Sequence, residues 1–144
     1  MLRILHLSLP VRDLAEARHF YVHSMGCQAA RERDGFCDVW FFGMQLTLQD
    51  RADEVAPLEP GSARHFGVTL GRAEFDALVT RLVAHGVAWV APPTTDAQGR
   101  RTEQTKAKLA DPSGNVIELK TYRDPVAALE IPPHSSPEAV EHGS

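Results

Sequence analysis

An α+β fold is predicted here: two βαβββ modules, each a curved mixed sheet with a helix on its outer side, arranged around a concave cavity. Three observations predict it. The order strand, helix, three strands occurs twice along the chain. The strands alternate apolar and polar residues, so each sheet has one apolar and one polar face. The polar faces carry His6 and His65 at corresponding places, together with Glu118, which suits a binding cavity better than a structural surface.

The first module spans about residues 1–50. Residues 3–9 alternate, with Leu5, Leu7 and Leu9 on one side and Ile4, His6 and Ser8 on the other. Pro10 is expected to end this strand. Asp13 with Glu16 three residues on has capping-box spacing and predicts a helix to about Met25, closed by Gly26. Its apolar stripe is Leu14, Ala17, Tyr21 and Met25. His19 and His23 are four apart, a spacing that suits a metal pair, but they share a face with Arg12 and Glu16 and read as solvated. A strand over 27–33, the turn Asp34-Gly35, an aromatic strand over 36–42 and, after Gly43, a strand over 44–49 complete the module. In that last strand Leu46 and Leu48 oppose Gln45, Thr47 and Gln49.

Residues 51–62 are polar with two prolines and form a linker. The second module, about 63–123, begins with the strand RHFGVTL, where His65, Gly67 and Thr69 oppose Phe66, Val68 and Leu70. A helix over 73–85, with Phe75, Leu78, Leu82 and Val83 inward, stops at Gly86. A short strand over 87–91 precedes a long loop over 92–104 opened by Pro92-Pro93. A strand over 105–110 leads into Asp111-Pro112-Ser113-Gly114, in which Asp caps, Pro presets φ and Gly takes positive φ. The closing strand covers 115–121. The tail from 124 to 144 is rich in proline and acidic residues, with a short helix possible over 125–130 and a disordered end expected.

The two halves correspond residue by residue. His6 opens a strand–helix unit that closes at Gly26, and His65 opens one that closes at Gly86, 20 and 21 residues on. Residues 43–48 lie over 114–119, which makes Thr47 the counterpart of Glu118. Glu118 sits inside an otherwise apolar strand. A buried carboxylate needs a cation or strong hydrogen bonds, and a metal ion shared with the two histidines is one way to supply them.

Bulk properties bound the function. At 144 residues the chain is one domain with enough length for a real core. The net charge of -4 without a basic stripe argues against nucleic acid as a partner. No apolar run approaches the roughly 18 residues of a membrane span, and the N-terminus lacks signal-peptide features, so a cytoplasmic location is expected. Cys27 and Cys37 form no disulfide or zinc-ribbon pattern and read as free thiols.

The stretches HLSLPVRDLAEARHFYVHSMG (6–26), the second-module HFGVTL with its helix ending HG (65–86), and above all DPSGNVIELK (111–120) resemble the vicinal oxygen chelate superfamily. That superfamily includes glyoxalase I, extradiol dioxygenases, fosfomycin-resistance enzymes and bleomycin-resistance proteins. The resemblance covers about 1–123 and implies the paired βαβββ fold. It implies metal ligands at His6, His65 and Glu118. The fourth position, a carboxylate in glyoxalase I, falls on Thr47, a poor ligand, which departs from that enzyme's pattern. Two His and one Glu leave coordination positions open and suit Fe, Mn, Zn or Ni about equally. The resemblance implies a small metal-dependent enzyme, with dioxygenase chemistry as one option, acting on a small oxygenated substrate. Glu118 would be catalytic, doubling as ligand and base in any proton transfer. The alternatives are a metal-free ligand-sequestering protein and a fosfomycin-resistance-type transferase.

Candidate substrate contacts are Ser8, Gln45, Thr47, Gln49, Thr69, Gln104 and Lys120. Lys106 and Lys108 share one strand face and are possible cavity cations. Trp40, Phe42 and Trp89 read as core. The unpaired sheet edges predict a homodimer, with the site either within one chain or shared between two.

Overall fold

The computed structural model describes residues 1–59 and 61–131. The expected disorder of the tail's end lies outside these residues. The repeat takes the form of two separate four-stranded sheets. Sheet A holds β1 (His6–Val11), β2 (Gln28–Arg33), β3 (Phe36–Phe41) and β4 (Met44–Asp50) in the order β1-β4-β3-β2. Sheet B holds β5 (Phe66–Thr69), β6 (Trp89–Asp96), β7 (Gln104–Ala110) and β8 (Val116–Tyr122) in the order β5-β8-β7-β6. In each sheet the first strand lies parallel to the last, and the others are antiparallel. No helix among the described residues is long and apolar enough to cross a membrane.

The elements form where local chemistry allows, with four departures from expectation. Pro10 does not end β1, because β1 is an edge strand and its outer side needs no N–H. The first helix is α-helical only over α1 (Leu14–His19), with Asp13 accepting from the Glu16 N–H, and then widens into a π turn at Phe20–Ser24. Pro92-Pro93 lie inside β6, not in a loop. That edge strand absorbs them through register shifts on either side of Ala91, and the loop shrinks to 97–103. Phe42 and Gly43 both take positive φ, 49° and 88°, so β3 ends one residue early in a tight primed turn.

The helices bury the expected stripes. Ala17, Tyr21 and Met25, and from α2 (Arg72–Ala84) Phe75, Leu78 and Leu82, are buried against Val39, Leu46, Leu48, Leu109, Ile117 and Leu119. Val83 departs from its stripe and is 60% exposed. Each fully buried Leu or Ile contributes roughly 1.5–3 kcal/mol.

The Asp111–Asn115 turn ties the modules together. Asp111 Oδ1 accepts from the Ser113 and Asn115 N–H groups, and Oδ2 accepts from Asn115 Nδ2 and, at 2.8 Å, from the hydroxyl of fully buried Tyr21. Asn115 Nδ2 also donates to Pro10 O, and Ser113 Oγ accepts from Arg12 N–H. Burial pushes the Asp111 carboxyl above its ordinary value despite these donors, and it pushes the Tyr21 hydroxyl well up. Arg81 adds a second tie by donating to the carbonyls of His23 and Ser24.

Candidate functional site

Strand register decides which side chains share a face. In sheet B, Glu118 pairs with Lys108 on β7 and Gly67 on β5, and Lys120 pairs with Lys106 and Thr69. These residues line the face away from the core, because Ile117 and Leu119 point into it. Gly67 is required there: a Cβ would collide with the Glu118 backbone carbonyl. His65 immediately precedes β5, and its Nε2 lies 3.9 Å from Glu118 Oε2.

The Glu118 carboxylate is buried and already has cations. Lys120 Nζ is 3.0 Å from Oε1 and Lys108 Nζ is 3.5 Å from Oε2. Burial alone would raise the carboxyl. The Lys120 hydrogen bond and charge, then His65 and Lys108, outweigh that and hold it below its ordinary value. In turn Glu118 raises the Lys120 ammonium. Lys106 is paired with Asp96 at 3.0 Å.

On sheet A three rows cross the corresponding face. His6 pairs with Gln45 and Gln45 with Trp40; Ser8 pairs with Thr47 and Thr47 with Asp38; Pro10 pairs with Gln49 and Gln49 with Phe36. His6 and Ser8 are exposed. Gln49 Nε2 donates to Ser8 Oγ. The Thr47 hydroxyl donates to Asp38 Oδ1 at 2.6 Å, which commits its one proton. Asp38 is 4% exposed and also accepts from Gln45 Nε2 and from Arg31 Nε, with Arg31 Nη2 in an ion pair at 3.0 Å. Burial raises its carboxyl, but the bonds from Thr47, Gln45 and Arg31 bring it below the ordinary value.

The structure thus brings His65 and Glu118 together but leaves His6 on the other sheet. No group of three His, Cys, Asp or Glu among the described residues converges closely enough to hold an ion. Thr69 is exposed beside Lys120, and Gln104 pairs with Tyr122 at the end of β7. Trp40 and Phe42, expected in the core, are each 37% exposed, whereas Trp89 packs partly buried against the core. Cys27 and Cys37 are buried free thiols, and burial raises the Cys27 thiol to about 12. A cleft of about 750 Å³ opens beside His65 over Leu7, Leu9, Phe66 and Val116, but neither His6 nor Glu118 lines it.

The family model described as the glyoxalase/bleomycin resistance protein/dioxygenase superfamily matches residues 3–119. The chain belongs to this superfamily. A glyoxalase/bleomycin resistance protein/dioxygenase from Alicyclobacillus acidocaldarius is 33% identical, with a TM-score of 0.77 over 85% of this chain and 92% of that one. The genomically encoded fosfomycin resistance protein FosX from Listeria monocytogenes is 16% identical, with a TM-score of 0.69 over 84% and 93%. TioX from Micromonospora sp. ML1 is 15% identical, with a TM-score of 0.64 over 83% and 98%. The last two share the fold. No protein of curated function matches.

Within this superfamily chain, sequence reasoning missed Asp38 and Arg31. The signal for Asp38 was present: it is a carboxylate alternating with the buried Cys37 and Val39, the same pattern that singled out Glu118. Arg31 carried no such signal, because the register shift between Ala29 and Glu32 decides its side of β2.

Proposed function

We propose that the protein is a metal-dependent enzyme of its superfamily that works as a homodimer. In this reading His65 and Glu118 of one copy and His6 of a second copy hold one divalent ion, and a small oxygenated substrate chelates it. The carrying observation is the approach of His65 to buried Glu118 while His6 stands exposed on the other sheet with no side-chain hydrogen bond or ion pair among the described residues. The apolar start of edge strand β1 also supports a second copy, since Leu2, Ile4 and Leu5 are exposed at 84%, 44% and 77%.

The donors suit the ion. His65 and Glu118, with Nε2 and Oε2 3.9 Å apart, would supply an imidazole and a carboxylate to one divalent cation, and two imidazoles with one carboxylate leave positions open. When bound, the ion would act as a Lewis acid on the chelated oxygens. Lys120, 3.0 Å from Oε1, would orient the carboxylate as an outer hydrogen bond. A dioxygenase reaction suits the open set, and proton transfer would use Glu118 as both ligand and base.

A second reading is favoured by one specific observation. Lys108 and Lys120 already neutralise Glu118, so a metal-free ligand-binding protein would not leave it unpaired. A transferase of the fosfomycin-resistance type is a third option, in line with the likeness to FosX.

Metal analysis of protein purified without chelator separates these readings. The enzyme reading expects roughly one equivalent of metal per chain, lost in Glu118→Ala, and a raised Tm on adding Fe(II), Mn(II) or Zn(II). No metal in either protein, with an unchanged Tm, would sink it.

A further inference from the structure

The sheet A face carries a charged device that metal binding does not use. Asp38 and Lys108 occupy corresponding positions in the repeat: Asp38 pairs with Thr47, Lys108 pairs with Glu118, and Thr47 is the counterpart of Glu118. Charge is therefore exchanged between the modules. Module 2 puts a carboxylate on β8 and ammonium groups around it. Module 1 puts a hydroxyl on β4 and the carboxylate on β3, with Arg31 set beside it.

Arg31 is held on two sides. Its Nε and Nη2 both lie 3.0 Å from Asp38 Oδ2, and its guanidinium carbon sits 5.1 Å from the centre of the Phe36 ring. Asp38 is itself fixed by Thr47 and Gln45, so this support is rigid. A guanidinium has five N–H donors. Asp38 holds the Nε–Nη2 edge and leaves Nη1 and the outer Nη2 hydrogen without a hydrogen bond among the described residues. The Arg31 side chain is 53% exposed. An oriented fork with free donors matches a carboxylate or phosphoryl group bidentately.

The charge balance of the two faces points the same way. Arg31 with Asp38 and Lys106 with Asp96 cancel in pairs, whereas Lys108 and Lys120 share the single charge of Glu118. The faces therefore carry a surplus positive charge on a chain whose net charge is -4.

We infer that Arg31, positioned by Asp38 and Phe36, binds the anionic group of the substrate and makes this site selective for a small anion bearing a carboxylate, phosphoryl or phosphonate group. This rests on the proposed function only in taking the concave faces as the substrate site.

The test uses full-length protein stripped of metal, so a failure of the metal reading leaves it interpretable. Inorganic phosphate and oxalate are titrated in by isothermal calorimetry at pH 7.5 and low salt. Wild type is expected to bind at least one of the two, and the tighter one distinguishes a phosphoryl from a carboxylate preference. Arg31→Gln is expected to weaken binding about tenfold or more, and Arg31→Lys less, because an ammonium keeps the charge but loses the fork. Arg18→Gln makes the same charge change on the opposite side of sheet A, where Arg18 lies 3.8 Å from Glu32, and is expected to bind as wild type. Asp38→Asn is expected to weaken binding with Arg31 intact. Circular dichroism checks that each variant is folded. Failure of wild type to bind either anion, wild-type binding by folded Arg31→Gln, or an equal loss in Arg18→Gln overturns the inference.

Discussion

Lys120 Nζ lies 3.0 Å from Glu118 Oε1, two residues along the same strand and on the same face. The carboxylate that looks stranded in an apolar segment therefore brings one cation with it. Lys108 from the neighbouring strand supplies another, and His65 approaches the second oxygen. These cations hold the Glu118 carboxyl below its ordinary value and keep it ionised.

The pair sets a pH dependence. Glu118 is held below its ordinary value, so its contribution to stability is full above the unfolded value of about 4.3 and is lost as pH falls through the folded value. Lys120 is raised, so its contribution is full below the unfolded value of about 10.4 and is lost as pH rises through the folded one. Lys120 is partly exposed, so the pair is worth only about 1 kcal/mol. Lys120→Met is expected to raise the Glu118 carboxyl, followed by carbon-detected NMR titration. An unchanged titration would show that Lys120 does not hold the charge.

The turn that joins the modules is expected to dominate stability. Tyr21→Phe removes one buried hydrogen bond and should cost about 1–2 kcal/mol, while Asp111→Asn sets an amide donor against existing donors and should cost about 2–3 kcal/mol. Urea unfolding with unchanged slope measures both. A cost under about 0.5 kcal/mol for both would mean that the network is not a joint.

Gly67→Ala places a methyl against the Glu118 backbone carbonyl. It is expected to cost at least about 2 kcal/mol through displacement of β5 from β8. Thermal unfolding reports the loss, and a wild-type Tm would contradict the close approach.

Leu5 is 77% exposed where the chain enters edge strand β1. Leu5→Asp is expected to shift a dimer toward monomer by sedimentation velocity at micromolar concentration, with little change in the circular dichroism of the fold. A variant as dimeric as wild type would place the interface elsewhere.

The fold was legible in the sequence because the repeat, the period-2 strands and the DPSG turn all reported it independently. Pro10 and Pro92-Pro93 misled, since a proline breaks a central strand but is tolerated at an edge, and edge position is a property of the assembled sheet. Half of the candidate site was legible too. Alternation put Glu118 and Lys120 on one face and the repeat put His6 and His65 in different modules, but no local pattern shows that His65 approaches Glu118 while His6 stays apart. Thr47 stood out as a missing carboxylate; the carboxylate is Asp38 on the adjacent strand, which only the register between β3 and β4 reveals.

Metal content of mixed variants tests the shared centre most directly. His6→Ala and Glu118→Ala chains, each purified alone, are expected to hold little metal. Mixed in equal amounts, exchanged and reloaded, half of the pairs are heterodimers with one intact centre each, so the mixture should recover about a quarter of the wild-type metal per chain if pairing is random. Recovery at that level supports a centre built from two copies. A mixture that stays as empty as its components, beside a wild type that holds metal, would contradict it.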